Sequence, residues 1–197
     1  MKLYVVRHGE TEFNVQRLMQ GRMDSPLTER GREMALSLGK GLADVDFVHA
    51  FSSSLKRASD TAELILSNRN VELTLVDDLQ EVSFGDLEGK PVDMLEWNVE
   101  TIRNGFASFH GEGPDEAGER IVKVYGTIAE QYPEGNVLVV SHGGVILYGM
   151  EKLIPGFNED YPHGIANCSV TVLDVSGGII TAETVGDESY LRKGRNK

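Results

Sequence analysis

The run Leu3-Tyr4-Val5-Val6-Arg7-His8-Gly9-Glu10-Thr11 decides the fold. Its first four residues are a short apolar run, the pattern of a strand buried on both faces. Phe47 to Phe51, Val71 to Val76 and Val137 to Val140 share that pattern. Between these runs the period becomes helical. Thr28 is a plausible N-cap for a helix carrying Met34, Ala35, Leu38 and Leu42 on one face. Ser54 could cap a second, with Leu55, Ala58, Ala62 and Ile65 aligned. Asp115 could open a third, through Ile121, Val124, Ile128 and Ala129 to the stop at Pro133. A fourth, after Gly144, carries Ile146, Leu147 and Met150. Cys168 to Val175 and Ile179 to Val185, joined by Ser176-Gly177-Gly178, read as a hairpin.

Strands alternating with helices predict a three-layer αβα sandwich. Its central sheet is mainly parallel, with helices on both faces and an antiparallel C-terminal addition. Ligands of such sheets sit beyond the carboxyl ends of the strands. The first strand ends in Arg7-His8-Gly9, the second in Ser52-Ser53-Ser54-Leu55-Lys56-Arg57, the third in Asp77-Asp78-Leu79-Gln80-Glu81, and the fourth in Ser141-His142-Gly143-Gly144. Two imidazoles, two guanidiniums and a carboxyl group are thereby expected on one rim. Guanidinium groups bind tetrahedral phosphate through paired donors. A neutral imidazole can attack phosphorus if its other ring nitrogen is held as a donor. Gly9, lacking Cβ, could bring its carbonyl against the His8 ring and fix that tautomer. The set suits phosphoryl transfer through a phosphohistidine.

The composition narrows the partners. The 197 residues carry 19 basic and 31 acidic side chains, a net charge of −12, with 40% hydrophobic residues. That length predicts one domain over 1–190. The basic C-terminal tail 191–197 reads as solvated and mobile. So acidic a chain is not expected to bind nucleic acid or a membrane surface. A single cysteine, Cys168, excludes an internal disulfide and a thiolate cluster. With no signal-peptide core or membrane span in view, the expected location is cytoplasmic.

The ordered motifs resemble the histidine phosphatase superfamily, also called phosphoglycerate mutase-like. Arg7-His8-Gly9-Glu10-Thr11 matches its Arg-His-Gly signature, and Ser141-His142-Gly143-Gly144 its second histidine. Asn14, Gln20-Gly21, Asp24-Ser25-Pro26-Leu27-Thr28, Ser52 to Ala58 and the acidic loop Glu81 to Gly89 match in order between them. The resemblance implies that His8 is the nucleophile. It makes Arg7, Arg57 and His142 phosphoryl ligands assisted by Asn14, with Gln20, Gly21 and Gly143 lining the substrate site. Glu81 would be the proton donor and later the base. A loose phosphoryl transition state is stabilised mainly by charge around its oxygens, so the expectation is no cofactor and no metal.

Within the family, Glu81 is followed by Val82-Ser83-Phe84-Gly85 rather than the Arg-His-Tyr-Gly of cofactor-dependent mutases. Pro91 to Arg120 holds Arg103 and Arg120 but no adjacent arginine pair, while Phe84, Trp97, Phe106 and Phe109 could line an apolar pocket. The expected activity is phosphomonoester hydrolysis on a small-molecule phosphate ester. A phosphoglycerate mutase-type transfer, or a non-catalytic phospho-ligand binding protein on the same fold, is the alternative. Blander readings hold elsewhere. His49 reads as a satisfied core or edge histidine. His110 and His163 read as loop residues that could touch substrate. Asp77 and Asp78 read as a solvated strand end rather than metal ligands beside Glu81.

Overall fold

The computed structural model describes residues 1–160 and 164–196. Its strands are β1 (Lys2–Arg7), β2 (Phe47–Ser53), β3 (Leu73–Val76), β4 (Asn136–Ser141), β5 (Val170–Ser176) and β6 (Ile179–Asp187). Its helices are α1 (Glu12–Val15), α2 (Glu29–Gly41), α3 (Lys56–Leu66), α4 (Val99–Asn104), α5 (Pro114–Gln131), α6 (Gly143–Leu153), α7 (Phe157–Asp160) and α8 (Ser189–Arg195). The strands form one sheet in the order β3-β2-β4-β1-β5-β6. β1, β2, β3 and β4 run parallel, and β5 is antiparallel to both β1 and β6.

Alternation along β1 explains the three layers. Leu3 and Val5 join Val137 and Val139 of β4 in a core with Ile121, Tyr125, Ile146 and Met150 of α5 and α6. Tyr4 and Val6 face the other way, with Leu138 and Val140, onto Ala35, Leu38, Ala62 and Ile65 of α2 and α3. Both faces are apolar because both are covered, and each buried Leu or Ile contributes about 1.5–3 kcal/mol.

Four details differ from the sequence reading. β3 lies at a sheet edge and is not buried on both faces; Leu75 is 54% exposed. Ser54 does not cap α3: its hydroxyl donates to Asp77, and the N-cap residue is Leu55. α5 opens at Pro114 behind Gly113, since a proline at the first helical position gives up an N–H that has no partner there anyway. Finally, residues 191–195, expected as part of a solvated tail, belong to helix α8. α8 packs on α2, with Leu191 and Gly194 buried, and a Cβ on Gly194 would lie 1.7 Å from the Ser37 carbonyl oxygen.

Candidate active site

Strand register builds the site. Arg7 pairs with Ser141 across β1 and β4, so His8 and His142, one residue further on, leave the sheet side by side. Their ring centroids are 5.2 Å apart. The His8 N–H donates to the Ser141 carbonyl at 3.0 Å and ties the two exits together. The chain passes from β1 over to β2 and returns to insert β4 between them, so this is the point where strand order reverses and a crevice opens.

His8 Nδ1 lies 2.7 Å from its neighbour's carbonyl, Gly9 O. That bond assigns the proton to Nδ1 and leaves a lone pair on Nε2. The sequence reading expected the contact, but the glycine has a different cause. A Cβ on Gly9 would stand 2.7 Å from the Gly31 carbonyl oxygen, so the small residue is demanded by the packing of α2. Asn167, which the sequence reading missed, donates to the carbonyls of His8 at 2.9 Å and Gly9 at 3.3 Å. His142 Nε2 meets Ser53 Oγ at 2.8 Å. Ser53 Oγ already accepts the Leu55 N–H, so its hydroxyl proton can go to Nε2, which puts the imidazole proton on Nδ1.

The guanidiniums are anchored from behind. Arg57 is 1% exposed; it donates to the carbonyls of Gly21 at 2.7 Å and Met23 at 3.0 Å and pairs with Asp24 at 3.2 Å. Arg7 donates to the Ile165 carbonyl and packs its plane on Gly143, where a Cβ would approach Nε to 3.2 Å. Arg7 Nε, Arg57 Nε and His142 Nδ1 are buried polar atoms without a protein partner among the described residues. A cluster of donors like this fits the oxygens of an anion.

Burial, and after it the positive charge of Arg57, holds both His8 and His142 well below the ordinary histidine range. Both rings are therefore neutral at physiological pH, the form in which His8 is a nucleophile. The same shift links stability to pH. On unfolding, each ring takes up a proton once the pH is below about 6.5, so stability is fully present above that value and is lost toward the lowered folded values. Two rings set a limiting slope of about 2.7 kcal/mol per pH unit. Melting temperatures in phosphate-free buffer are expected to fall between about pH 6.5 and 5, with His142→Asn falling less steeply. Equal slopes for the two proteins would contradict this assignment.

Glu81 is 7% exposed and fixed by backbone donors alone. Its Oε1 accepts the N–H groups of Val82 at 2.9 Å and Val145 at 2.8 Å, and its Oε2 that of Gly144 at 3.0 Å. Helix α6 has no side-chain cap of its own, so this carboxylate serves its first turn. A carboxylate offers about two lone pairs per oxygen, so Oε1 is saturated and Oε2 keeps one. Gly144 allows the approach, since a Cβ there would come within 2.9 Å of Oε1.

These groups open into a cleft of about 440 Å³. Arg7, His8, Asn14, Gln20, Gly21, Arg57, Glu81 and Gly143 all line it; His142 is buried beside His8 rather than in the lining, and its unpartnered Nδ1 is the atom it has left for an anion. Asn14 Oδ1 is taken by the Thr11 N–H at 3.1 Å and by Asn167, leaving the amide nitrogen as the group offered to a ligand. The outer wall is apolar: Leu18, Phe84, Val92, Trp97, Ile102, Phe106 and Leu147. The Phe84 and Phe106 rings meet at 4.2 Å with a 37° tilt, while Phe109, partly buried against the core, does not line the cleft. His110 is turned away to Asp86 at 2.7 Å and does not line the cleft. His163 lies outside the described residues. His49 is satisfied by Thr74 and stacks on Tyr132. Among the described residues, no three His, Cys, Asp or Glu side chains gather to hold a metal ion. No helix among them is long and apolar enough to cross a membrane.

Known proteins resemble this chain in sequence and fold. The model of the histidine phosphatase superfamily (branch 1) matches residues 3–188. The phosphoglycerate mutase structure from Bacillus anthracis str. Sterne is 33% identical, with a TM-score of 0.88 over 99% of this chain and 96% of that one. The alpha-ribazole phosphatase from Shigella flexneri is 28% identical, with a TM-score of 0.78 over 95% and 96% of the two chains. The probable phosphoglycerate mutase GpmB of Salmonella choleraesuis is 31% identical over 97% of this chain and 95% of its own length. With residues 3–188 matched by the family model, the chain belongs to the histidine phosphatase superfamily, and its activity is that family's hydrolysis of a small phosphorylated metabolite.

Proposed function

We propose that the substrate is a phosphomonoester whose alcohol is apolar or aromatic and uncharged, and that His8, Glu81, Arg7, Arg57 and His142 carry the reaction. His8 Nε2 attacks phosphorus as the ester P–O bond breaks, and the leaving alkoxide takes the proton carried on Glu81 Oε2. Water then attacks the phosphohistidine while the ionised Glu81 accepts its proton. The P–N bond breaks, leaving inorganic phosphate and the neutral ring. Arg7, Arg57 and His142 Nδ1 bind the equatorial oxygens throughout, with Asn14 beside them. Fixed donors of this kind need no reorganisation as charge develops.

The observation that supports the substrate class is the wall facing these residues. Beyond Arg7 and Arg57, the cleft lining holds no cation among the described residues, whereas Phe84, Trp97 and Phe106 offer aromatic surface. Arg120, weighed in the sequence as a counter-charge, is held by Glu112 and by backbone carbonyls. A phosphoglycerate brings a carboxylate that would enter such a wall unpaired, at a cost of several kcal/mol.

The test is a turnover screen across aryl phosphates, alkyl phosphates, nucleotides and phosphoglycerates, with and without EDTA. We expect kcat/KM for a naphthyl phosphate to exceed that for 3-phosphoglycerate by at least about tenfold, with EDTA leaving both unchanged. Phosphoglycerate isomerisation as the fastest reaction would replace this reading with the mutase one.

A further inference from the structure

Arg120 and Glu112 form a largely buried ion pair outside the cleft wall. Arg120 Nε and Nη2 donate to the two Glu112 oxygens, each at 2.7 Å; the Glu112 side chain is 4% exposed and that of Arg120 14%, and Arg22 approaches the same carboxylate at 3.5 Å. Replacing such a pair with apolar residues is often neutral or stabilising, so its presence calls for a task besides stability. The remaining donor supplies one. Arg120 Nη1 reaches the carbonyls of Asp78 at 2.7 Å and Gln80 at 3.0 Å. On the far side of Glu81, the Glu112 backbone N–H donates to the Ser83 carbonyl at 2.8 Å, and Glu112 Oε2 accepts the Ser83 N–H at 3.4 Å. One ion pair thus grips the chain immediately before and shortly after Glu81.

We propose that Arg120 and Glu112 are positioning residues for Glu81, setting where Oε2 stands relative to the leaving oxygen. This rests on the reading of Glu81 as the proton donor. The carboxyl is already fixed to α6 by three N–H groups. Its backbone, however, lies in the non-repetitive residues 80–84 between two short 3₁₀ turns, Asp77–Leu79 and Gly85–Leu87, and that stretch is what the pair holds in place. A proton donor displaced by a fraction of an ångström loses much of its effect on a poor leaving group and little on a good one.

The test compares single-turnover phosphorylation of His8 by an alkyl and an aryl phosphate in wild type, Arg120→Met, Glu112→Gln and Glu81→Gln, and in the double variant Arg120→Met/Glu81→Gln. Arg120→Lys, which keeps the charge but loses the fork, stands in if Arg120→Met does not fold. The expected result is a loss of roughly 10- to 100-fold on the alkyl substrate and less than about threefold on the aryl one in Arg120→Met, with a smaller loss in Glu112→Gln. In the Glu81→Gln background the Arg120 substitution is expected to add no further discrimination. Equal losses on both substrates, or the same loss with and without Glu81, would overturn the proposal and make the pair purely structural. A Glu81→Gln single variant that itself shows no discrimination would overturn it differently, by removing the acid that it serves.

Discussion

Replacing His8 by alanine is expected to lower kcat by about 10³-fold or more, because the reaction loses its nucleophile and nothing in the cleft can take its place. His142 has its Nε2 committed to Ser53, and Cys168 is held protonated, its thiol pushed up to about 12 by burial. The fold should survive, since the Gly9 carbonyl that loses the ring N–H keeps the Asn167 amide. An alkaline denaturing quench after mixing with labelled substrate should trap an alkali-stable, acid-labile phosphoramidate in the wild type and none in His8→Ala. Retained turnover in a correctly folded His8→Ala protein would sink the phosphohistidine mechanism.

Glu81→Gln is expected to slow alkyl phosphates by roughly 10²–10⁴-fold and aryl phosphates far less in the phosphorylation step. The substitution is not isosteric in its hydrogen bonding. With the amide oxygen accepting from Val82 and Val145, the new NH₂ would face the Gly144 N–H, a donor against a donor. Leaving that pair unmet costs about 1–3 kcal/mol. A lower melting temperature therefore accompanies the variant, and the bare fall in kcat is an ambiguous readout. The ratio between leaving groups separates the two effects: lost proton donation weighs on alkoxides, whereas a loosened α6 weighs on both substrates. Equal slowing of both would pass the acid role to another group, with Asp77 and Asp78 the first to substitute.

Much of this was legible because it is local. The doubly apolar runs ending in Arg7-His8 and Ser141-His142 announce parallel strands that expose their next residues at one rim. Pairing then follows from register, which brings the two rings together without any sequence proximity. The order of strands is not written locally, so the edge position of β3 was invisible. Nor did Cys168 begin the hairpin strand. Its φ of +56° makes a turn whose N–H donates to the Arg7 carbonyl, and β5 starts at Val170. Helix α8 hid behind its basic residues, since only Leu191 and Gly194 mark the buried side. Asn167 and the Glu112–Arg120 pair left no readable signal. Their partners lie far away in the chain, and their effect is exerted on backbone groups that any residue would present.

The asymmetric hydrogen bonding of Glu81 carries a stereochemical consequence. Only Oε2 has a lone pair left for a proton, and the backbone donors hold that oxygen in one place. In the proposed mechanism the departing alcohol and the attacking water must therefore use the same side of phosphorus, opposite His8. Each displacement is in line and inverts the centre, so a chiral phosphoryl group leaves with its configuration retained. The shared position also orders the products: the alcohol has to diffuse away before water can be activated. Release of the alcohol thus becomes the branch point between hydrolysis and return of the phosphoryl group to an acceptor.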